Sequence, residues 1–345
     1  MRIVSPLLKR VIYPAVHYSR LLEGMQPEGA CVVVNYHGVI PPDHSGDEPS
    51  LDANLVEPEV FRRQLQFLKR RYRIISPEDF RAFVEQGTAL PPRAVLITCD
   101  DGLLNTLTDM LPLLRDEGVS CLFFVTAVSC GDKPGMLWYE ELYHLMRIEP
   151  LNEQESQLLP EETASSSPES FQSEWWVIVR RASRLNLGAR TDWMALLRRR
   201  RGPATAIRSE RRWRLLDGTE LKRLAESGMS IGAHTISHPV LSLCSDEESR
   251  HEIQTSKANI ERVLGRTVWA FAYPYGDFST MGEREVRLAK ESGFSCAFLN
   301  IPNGPIDRAN PFMLSRTHVT LDMSLPEFAA HVSGLHARLQ RAVRG

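Results

Sequence analysis

Short, mostly apolar runs alternate along this chain with stretches whose apolar residues recur every three or four positions. The runs are Cys31–Tyr36, Ala94–Cys99, Ser120–Thr126, Met229–Ala233, Val268–Tyr273, Phe294–Leu299 and Met313–Val319. Runs this short and this apolar predict strands covered on both faces. Between them, Val60–Arg71 (Phe61, Leu65 and Leu68 on one stripe), Leu103–Glu117, Asp217–Ser227, Asp246–Leu264 and Glu283–Ser292 predict amphipathic helices. The boundaries agree with this reading. Ser76-Pro77 is a helix start, and Gly87, Gly118, Gly228, Gly265 and Gly293 each follow a helix. Strands of this kind, each followed by a helix, predict an α/β fold: an irregular (β/α)7-8 TIM-like barrel with its active groups at the carboxyl ends of the strands.

The alternation fails at about 131–214. Asn152–Ser173 is acidic and then Ser-rich, and reads as a loop or disordered excursion. Trp175–Arg214 is Arg-rich and reads as a helical insertion. The run Arg198–Arg201 is expected to be a solvated face, with an anionic glycan or lipid head group as the sharper alternative. The expected organisation is an N-terminal helical segment over 1–30, the barrel over 31–325 with its insertion, and a C-terminal helix over 326–345.

Composition narrows the class. The chain has 345 residues and a formal charge of −2, enough for a large core and no global case for nucleic acid. Its six cysteines, Cys31, Cys99, Cys121, Cys130, Cys244 and Cys296, form no C-x-x-C pair, which argues against a disulfide framework and a cysteine-rich zinc module. No secretory signal and no bilayer-length apolar stretch is visible. Leu7, Leu8, Val11, Ile12, Ala15 and Val16 lie at helical spacing beside Lys9 and Arg10. A helix packed on the barrel is the expected reading, and a peripheral membrane contact is the alternative. The expected location is the cytoplasm, with the inner face of the membrane as a variant. Oligomeric state is not readable.

The chemistry lies where strands end. His37, Asp100, Asp101, His234, His238 and the Tyr273-Pro274-Tyr275-Gly276 turn each follow a predicted strand. His-x-x-x-His alone is weak, and Asp-Asp-Gly alone is good turn chemistry. Together they supply two imidazoles and a carboxylate for a divalent metal with an open position, plus a second carboxylate free to act as base. Zinc suits this donor set best. That is a hydrolase site if the fold brings the strand ends together.

These residues carry a resemblance. Thr98-Cys99-Asp100-Asp101-Gly102, His234-Thr235-Ile236-Ser237-His238 and Phe271-Ala272-Tyr273-Pro274-Tyr275-Gly276 resemble, in order, three motifs of the polysaccharide deacetylase family (NodB homology, carbohydrate esterase family 4). The resemblance runs from about Cys31 to Val319, the insertion excepted. It implies that Asp101, His234 and His238 hold the metal, that Asp100 is the general base, and that the Tyr275 N–H helps bind the oxyanion. The family's usual acid is a histidine in a Leu-x-His segment, which His318 in Leu314–His318 fits poorly. The circularly permuted branch, similar to poly-N-acetylglucosamine deacetylases, has its histidine after the first strand, which assigns the acid to His37.

Two departures stand out. Cys99 replaces a Phe, and strand alternation turns it away from Asp100. Ala272 replaces the Arg that pairs with the catalytic Asp, and Arg316 is the expected substitute. Trp138 and Tyr139 are either sugar-stacking aromatics or core anchors of the insertion. The implied activity is metal-dependent removal of an acetyl group from an N-acetylated sugar in a polysaccharide or lipid-linked glycan. A sugar O-acetyl esterase or deformylase, and a non-catalytic glycan-binding protein, are the rivals.

Overall fold

The computed structural model describes residues 6–19, 31–44, 51–127, 135–161, 171–202, 210–302, 306 and 308–344. Strands β1 (Cys31–Tyr36), β2 (Arg73–Ile74), β3 (Ala94–Cys99), β4 (Leu122–Val125), β5 (Ser230–Ala233), β6 (Ala270–Ala272), β7 (Cys296–Phe298) and β8 (Thr317–His318) form one sheet. All its pairings are parallel. The order is β7-β6-β5-β4-β3-β1-β8, with β2 on the first residues of β3.

Residues 314–319 join the two edges of this curved sheet. Leu314 bridges Phe298 of β7, while Thr317 and His318 pair with Val34 and Asn35 of β1. The result is the expected α/β architecture, an irregular barrel. Only Thr317–His318 of the predicted Met313–Val319 strand is regular, because its start follows one neighbour and its end follows the other.

Period-two alternation sorts the strand residues into two layers. Val33, Leu96, Phe124, Ala270, Ala272, Phe298 and Leu314 share one cluster in the barrel interior. Val34, Tyr36, Val95, Ile97 and Cys99 pack instead among the surrounding helices. Cys99 therefore faces the helix layer, as its parity requires. Gly232 is needed inside: a Cβ there would lie 2.5 Å from the Phe124 ring and 3.0 Å from the Ala270 carbonyl.

The helices around the sheet are α1 (Tyr13–Tyr18), α2 (Pro58–Arg71), α3 (Pro77–Gln86), α4 (Leu111–Asp116), α10 (Gly218–Glu226), α11 (Asp246–Leu264), α12 (Glu283–Glu291), α13 (Leu325–Val332) and α14 (Leu335–Arg344); α5–α9 belong to the insertion. Ser76, Asp217 and Ser245 close capping boxes at the starts of α3, α10 and α11. The predicted Leu103–Glu117 helix starts late, because Leu103 bridges Leu215 and Leu104 donates to the Arg214 carbonyl. The C-terminal stretch is two helices, separated at Gly334 with φ 78°. Lys9, just before α1, pairs with Asp322 and Glu327, and the Tyr13 hydroxyl bonds His336, so this segment is docked on the barrel. No described helix is long and apolar enough to cross a membrane.

The insertion contains α5 (Trp138–Ile148), α6 (Glu153–Gln157), α7 (Phe171–Ala182), α8 (Leu187–Arg201) and α9 (Glu210–Trp213). It has its own core, with Trp138, Trp175, Trp193 and Trp213 packed among Leu142, Met146 and Leu197. Arg198, Arg199 and Arg200 are exposed, in keeping with a solvated face, and only Arg201 is buried. Arg198 pairs with Glu141, Arg200 with Glu149, and buried Arg201 with Glu155. The acidic stretch expected to be a loop is helical at Glu153–Gln157, because Asn152 caps it and Glu155 is claimed by Arg201. Its Ser-rich part and Cys130 lie outside the described residues.

Candidate active site

Interior parity carries Asn35 and His37 from β1, Thr98 and Asp100 from β3, His234 from β5, and Arg316 and His318 from the closing segment to one end of the barrel. Asp100 is the centre of the first group. Arg316 donates from Nη1 to Oδ1 at 2.6 Å and from Nη2 to Oδ2 at 2.7 Å. Asn35 Nδ2 donates to Oδ2 at 2.9 Å. Arg316 also donates from Nε to the Leu299 carbonyl and from Nη1 to Asn35 Oδ1. Its guanidinium lies over the Phe124 and Phe298 rings at 5.3 and 5.9 Å. The pair is sealed, with Asp100 2% and Arg316 1% exposed. Burial alone would raise the Asp100 carboxyl; the Arg316 charge outweighs it and holds the group well below the ordinary carboxylate range. Ala272, where the resembling motif has Arg, leaves room inside the barrel for this arginine from another strand.

The second group is Asp101, His234 and His238. Left-handed backbone at Asp101 (φ 74°), followed by Gly102 (φ 80°), turns the chain sharply, and Asp101 Oδ1 lies 3.6 Å from His234 Nε2 and 3.5 Å from His238 Nε2. His234 Nδ1 bonds the Ala272 carbonyl at 2.8 Å, which fixes the ring and leaves Nε2 aimed at the carboxylate. The histidines are on a loop, not a helical turn. Glu252 of α11 anchors it: Oε2 accepts from the Ile236 and Ser237 N–H groups at 2.8 and 3.0 Å, and Oε1 from the Ser237 hydroxyl at 2.7 Å. Of the five non-glycine residues with positive φ among the described residues, Asp101, Thr235, His238 and Tyr275 are here. Such conformations persist where surrounding contacts over-determine them, at about 1–3 kcal/mol each.

These three residues fit a divalent metal. Their ligand atoms lie within 4.8 Å of one another, and all three side chains are buried. Asp101 Oδ1 has no hydrogen-bond partner. Burial, then the Asp100 charge, pushes the Asp101 carboxyl well up, a cost that a bound dication removes. Burial lowers His234 and His238, keeping both imidazoles in the neutral form that metals bind.

Two histidines flank Asp100. His37 Nε2 is 4.0 Å from Asp100 Oδ2, and its buried Nδ1 lacks a partner. The His318 ring meets it edge-on at 4.8 Å, with Nε2 bonded to Asn54 at 3.1 Å. Burial first, then His318, lowers His37 well below the usual imidazole range; burial also lowers His318, to about 4. His318 was set aside on its motif, yet the same two-residue parity that brings Arg316 inward brings it here.

The rim is aromatic. The Tyr275 ring lies 4.8 Å and the Tyr139 ring 5.9 Å from His238. Trp138 is in the insertion core, and half-buried Tyr139 packs between that core and His238. A buried cluster ties the insertion down beside them: Arg212 holds Asp52 at 2.6 Å and Glu140 at 2.8 Å. Glu252, Asn35 and Asn300 carried no sequence signal beyond their types.

Fold and site together give an α/β barrel with a candidate metal-ligand set, Asp101, His234 and His238, at one end. The family model described as polysaccharide deacetylase matches residues 190–296, which contain His234, His238 and the Tyr273–Gly276 turn. YxkH of Bacillus subtilis (strain 168), whose name places it among the polysaccharide deacetylases, is 23% identical over 116 residues, 34% of this chain; the chain thus spans 40% of that relative. Streptococcus pyogenes deacetylase PplD superposes with a TM-score of 0.55 at 16% identity, covering 89% of this chain and 99% of that one. IcaB from Ammonifex degensii gives 0.55 at 19%, covering 89% and 98%; a de-N-acetylase from Aggregatibacter actinomycetemcomitans gives 0.54 at 14%, covering 86% and 97%. The chain thus carries a segment similar to the polysaccharide deacetylase model and shares the barrel fold of these solved structures.

Proposed function

We propose that the protein is a metal-dependent carbohydrate deacetylase that hydrolyses the acetamide of an N-acetylated sugar. The observation that carries the reading is the Asp100 carboxylate, held by two hydrogen bonds from Arg316, directly beside the Asp101–His234–His238 set. A divalent metal held by Asp101, His234 and His238, with zinc the best match to the donors, would supply Lewis acidity and an acidified water.

The protein's own groups do the rest. The Arg316 charge holds the Asp100 carboxyl well below the ordinary carboxylate range, which favours the form that accepts a proton from the attacking water. Arg316 and Asn35 fix its orientation. The Tyr275 N–H is the donor assigned to the developing oxyanion. His37, 4.0 Å from Asp100, is assigned to hand a proton to the departing amine. Its neutral resting state means that it must first acquire that proton within the catalytic cycle.

The test is incubation of zinc-loaded protein with N-acetylated and O-acetylated oligosaccharides, measuring released acetate, formate and free amine. Amine and acetate in equal amounts, lost with a chelator and in Asp100→Asn, support the reading. Acetate without amine indicates an O-acetyl esterase, formate a deformylase, and binding without any release a glycan-binding protein.

A further inference from the structure

Arg190, on α8 of the insertion, is a buried cation without a counter-ion. It is 4% exposed. The other arginines as deeply buried each hold a carboxylate: Arg201 has Glu155, Arg212 has Asp52 and Glu140, and Arg316 has Asp100. Among the described residues the Arg190 guanidinium forms no ion pair; its defined contact is the face of Trp138, 4.6 Å from the ring centre. Glu252 is near enough to act on it electrostatically, but both Glu252 oxygens are engaged by the 236–237 loop.

Its surroundings offer donors. The Trp138 indole N–H is turned toward the Tyr275 hydroxyl oxygen, and the buried Tyr275 O–H has no acceptor of its own. A chain of ring contacts leads from Trp138 through Tyr139 to His238, and Tyr275 lies on the other side of His238. The Arg190 charge is felt at both His238 and Tyr275. A guanidinium and a phenol O–H thus gather at the rim of the metal-ligand set without an acceptor. An unpaired buried charge is strongly unfavourable, whereas an oxyanion held by guanidinium and neutral donors is well satisfied. The exposed Arg run, largely spent on glutamates of the insertion, offers no such group.

We propose that Arg190, with the Tyr275 hydroxyl, is an anion subsite that takes a carboxylate or phosphate carried by the saccharide next to the acetamido group being cleaved. The substrate class is an acidic N-acetylated saccharide. This rests on the deacetylase reading for the reaction but not for the binding, and the experiment separates them.

Three probes are used with zinc-loaded full-length protein: neutral tetra-N-acetylchitotetraose, a hyaluronan tetrasaccharide bearing carboxylates, and N-acetylglucosamine 1-phosphate. Binding is measured by calorimetry and turnover by acetate release. The expected result is at least roughly tenfold tighter binding of one anionic probe than of the neutral one, weakening with salt. Which anionic probe wins tells carboxylate from phosphate. Arg190→Gln should lower that preference by roughly tenfold or more, and Arg190→Lys should restore part of it, which a merely structural role would not do. If Arg190→Gln does not fold, Tyr275→Phe and Arg190→Lys read the same preference. Equal binding of all probes, or a preference unchanged by these variants, overturns the subsite. Acetate release without anionic preference overturns the subsite alone. Arg190-dependent binding with no release from any probe leaves the subsite standing and removes the deacetylase reading.

Discussion

Arg316 and Asp100, 216 positions apart in sequence, meet through two parallel hydrogen bonds of 2.6 and 2.7 Å inside the barrel. Burial pushes the carboxyl up and the guanidinium pulls it down further, so the net displacement is downward. Removing the cation leaves burial in charge. Arg316→Gln should therefore raise the Asp100 pKa, and the acid limb of kcat/KM should move to higher pH by roughly one unit or more. A pH–rate profile of acetate release checks this; an unmoved acid limb would show that Arg316 does not set the ionisation of Asp100. The same pair contributes stability above the ordinary carboxylate range, and that stability is lost only as pH falls through the depressed folded value.

Asp101 is a buried carboxylate with an orphan oxygen and two imidazoles facing it. Zinc should stabilise the fold, by about 2.7 kcal/mol at a free concentration one hundred times Kd. Asp101→Asn should weaken zinc binding and shrink the difference in melting temperature between zinc-loaded and chelator-treated protein. Calorimetric melts with and without the chelator measure both.

Glu252 touches no ligand atom, yet it fixes the loop between the two histidines. Glu252→Gln keeps the size and gives up the charge. Zinc affinity should fall roughly 10- to 100-fold, as for other groups that orient ligands indirectly. Competition with a chromophoric chelator reads the affinity, and unchanged circular dichroism separates it from unfolding.

His37 and His318 pack edge to edge, so substitution must tell them apart. With zinc content unchanged, His37→Ala should lower kcat by roughly 100-fold or more. His318→Ala should have the smaller effect, since its ring is already engaged by Asn54. The reverse order of the two kcat values would make His318 the acid.

Gly232 faces Phe124 across the barrel interior. Gly232→Ala should destabilise the protein by about 1–3 kcal/mol through overpacking. Urea denaturation would register it as a shift in midpoint without a change in slope.

Much of this was legible in the sequence. Apolar runs located the strands, and caps such as Ser76 and glycines such as Gly265 located helix ends, because these signals are local. Asp100, Asp101, His234 and His238 were legible because each follows a strand, and parallel strands bring such ends to one side. Glu252 and Arg190 were not, because what distinguishes them is whom they touch: Glu252 resembles any polar residue of an amphipathic helix, and Arg190 one more arginine of a basic insertion. His318 was passed over because motif spacing was weighed before strand parity. The Met313–Val319 run was legible as a strand, but its regular part is only Thr317–His318, because a residue can be extended without having one fixed neighbour.

The segment from Leu314 to Val319 joins the edges of the sheet and also carries Arg316. Closure and arming are consequently one event. Asp100 emerges during synthesis long before its arginine, and a chain still open along that seam has a buried acid with no cation to keep it ionised. An incompletely folded molecule lacks the Asp100–Arg316 pair in this sense, since that pair comes into being only when the last strand seats itself.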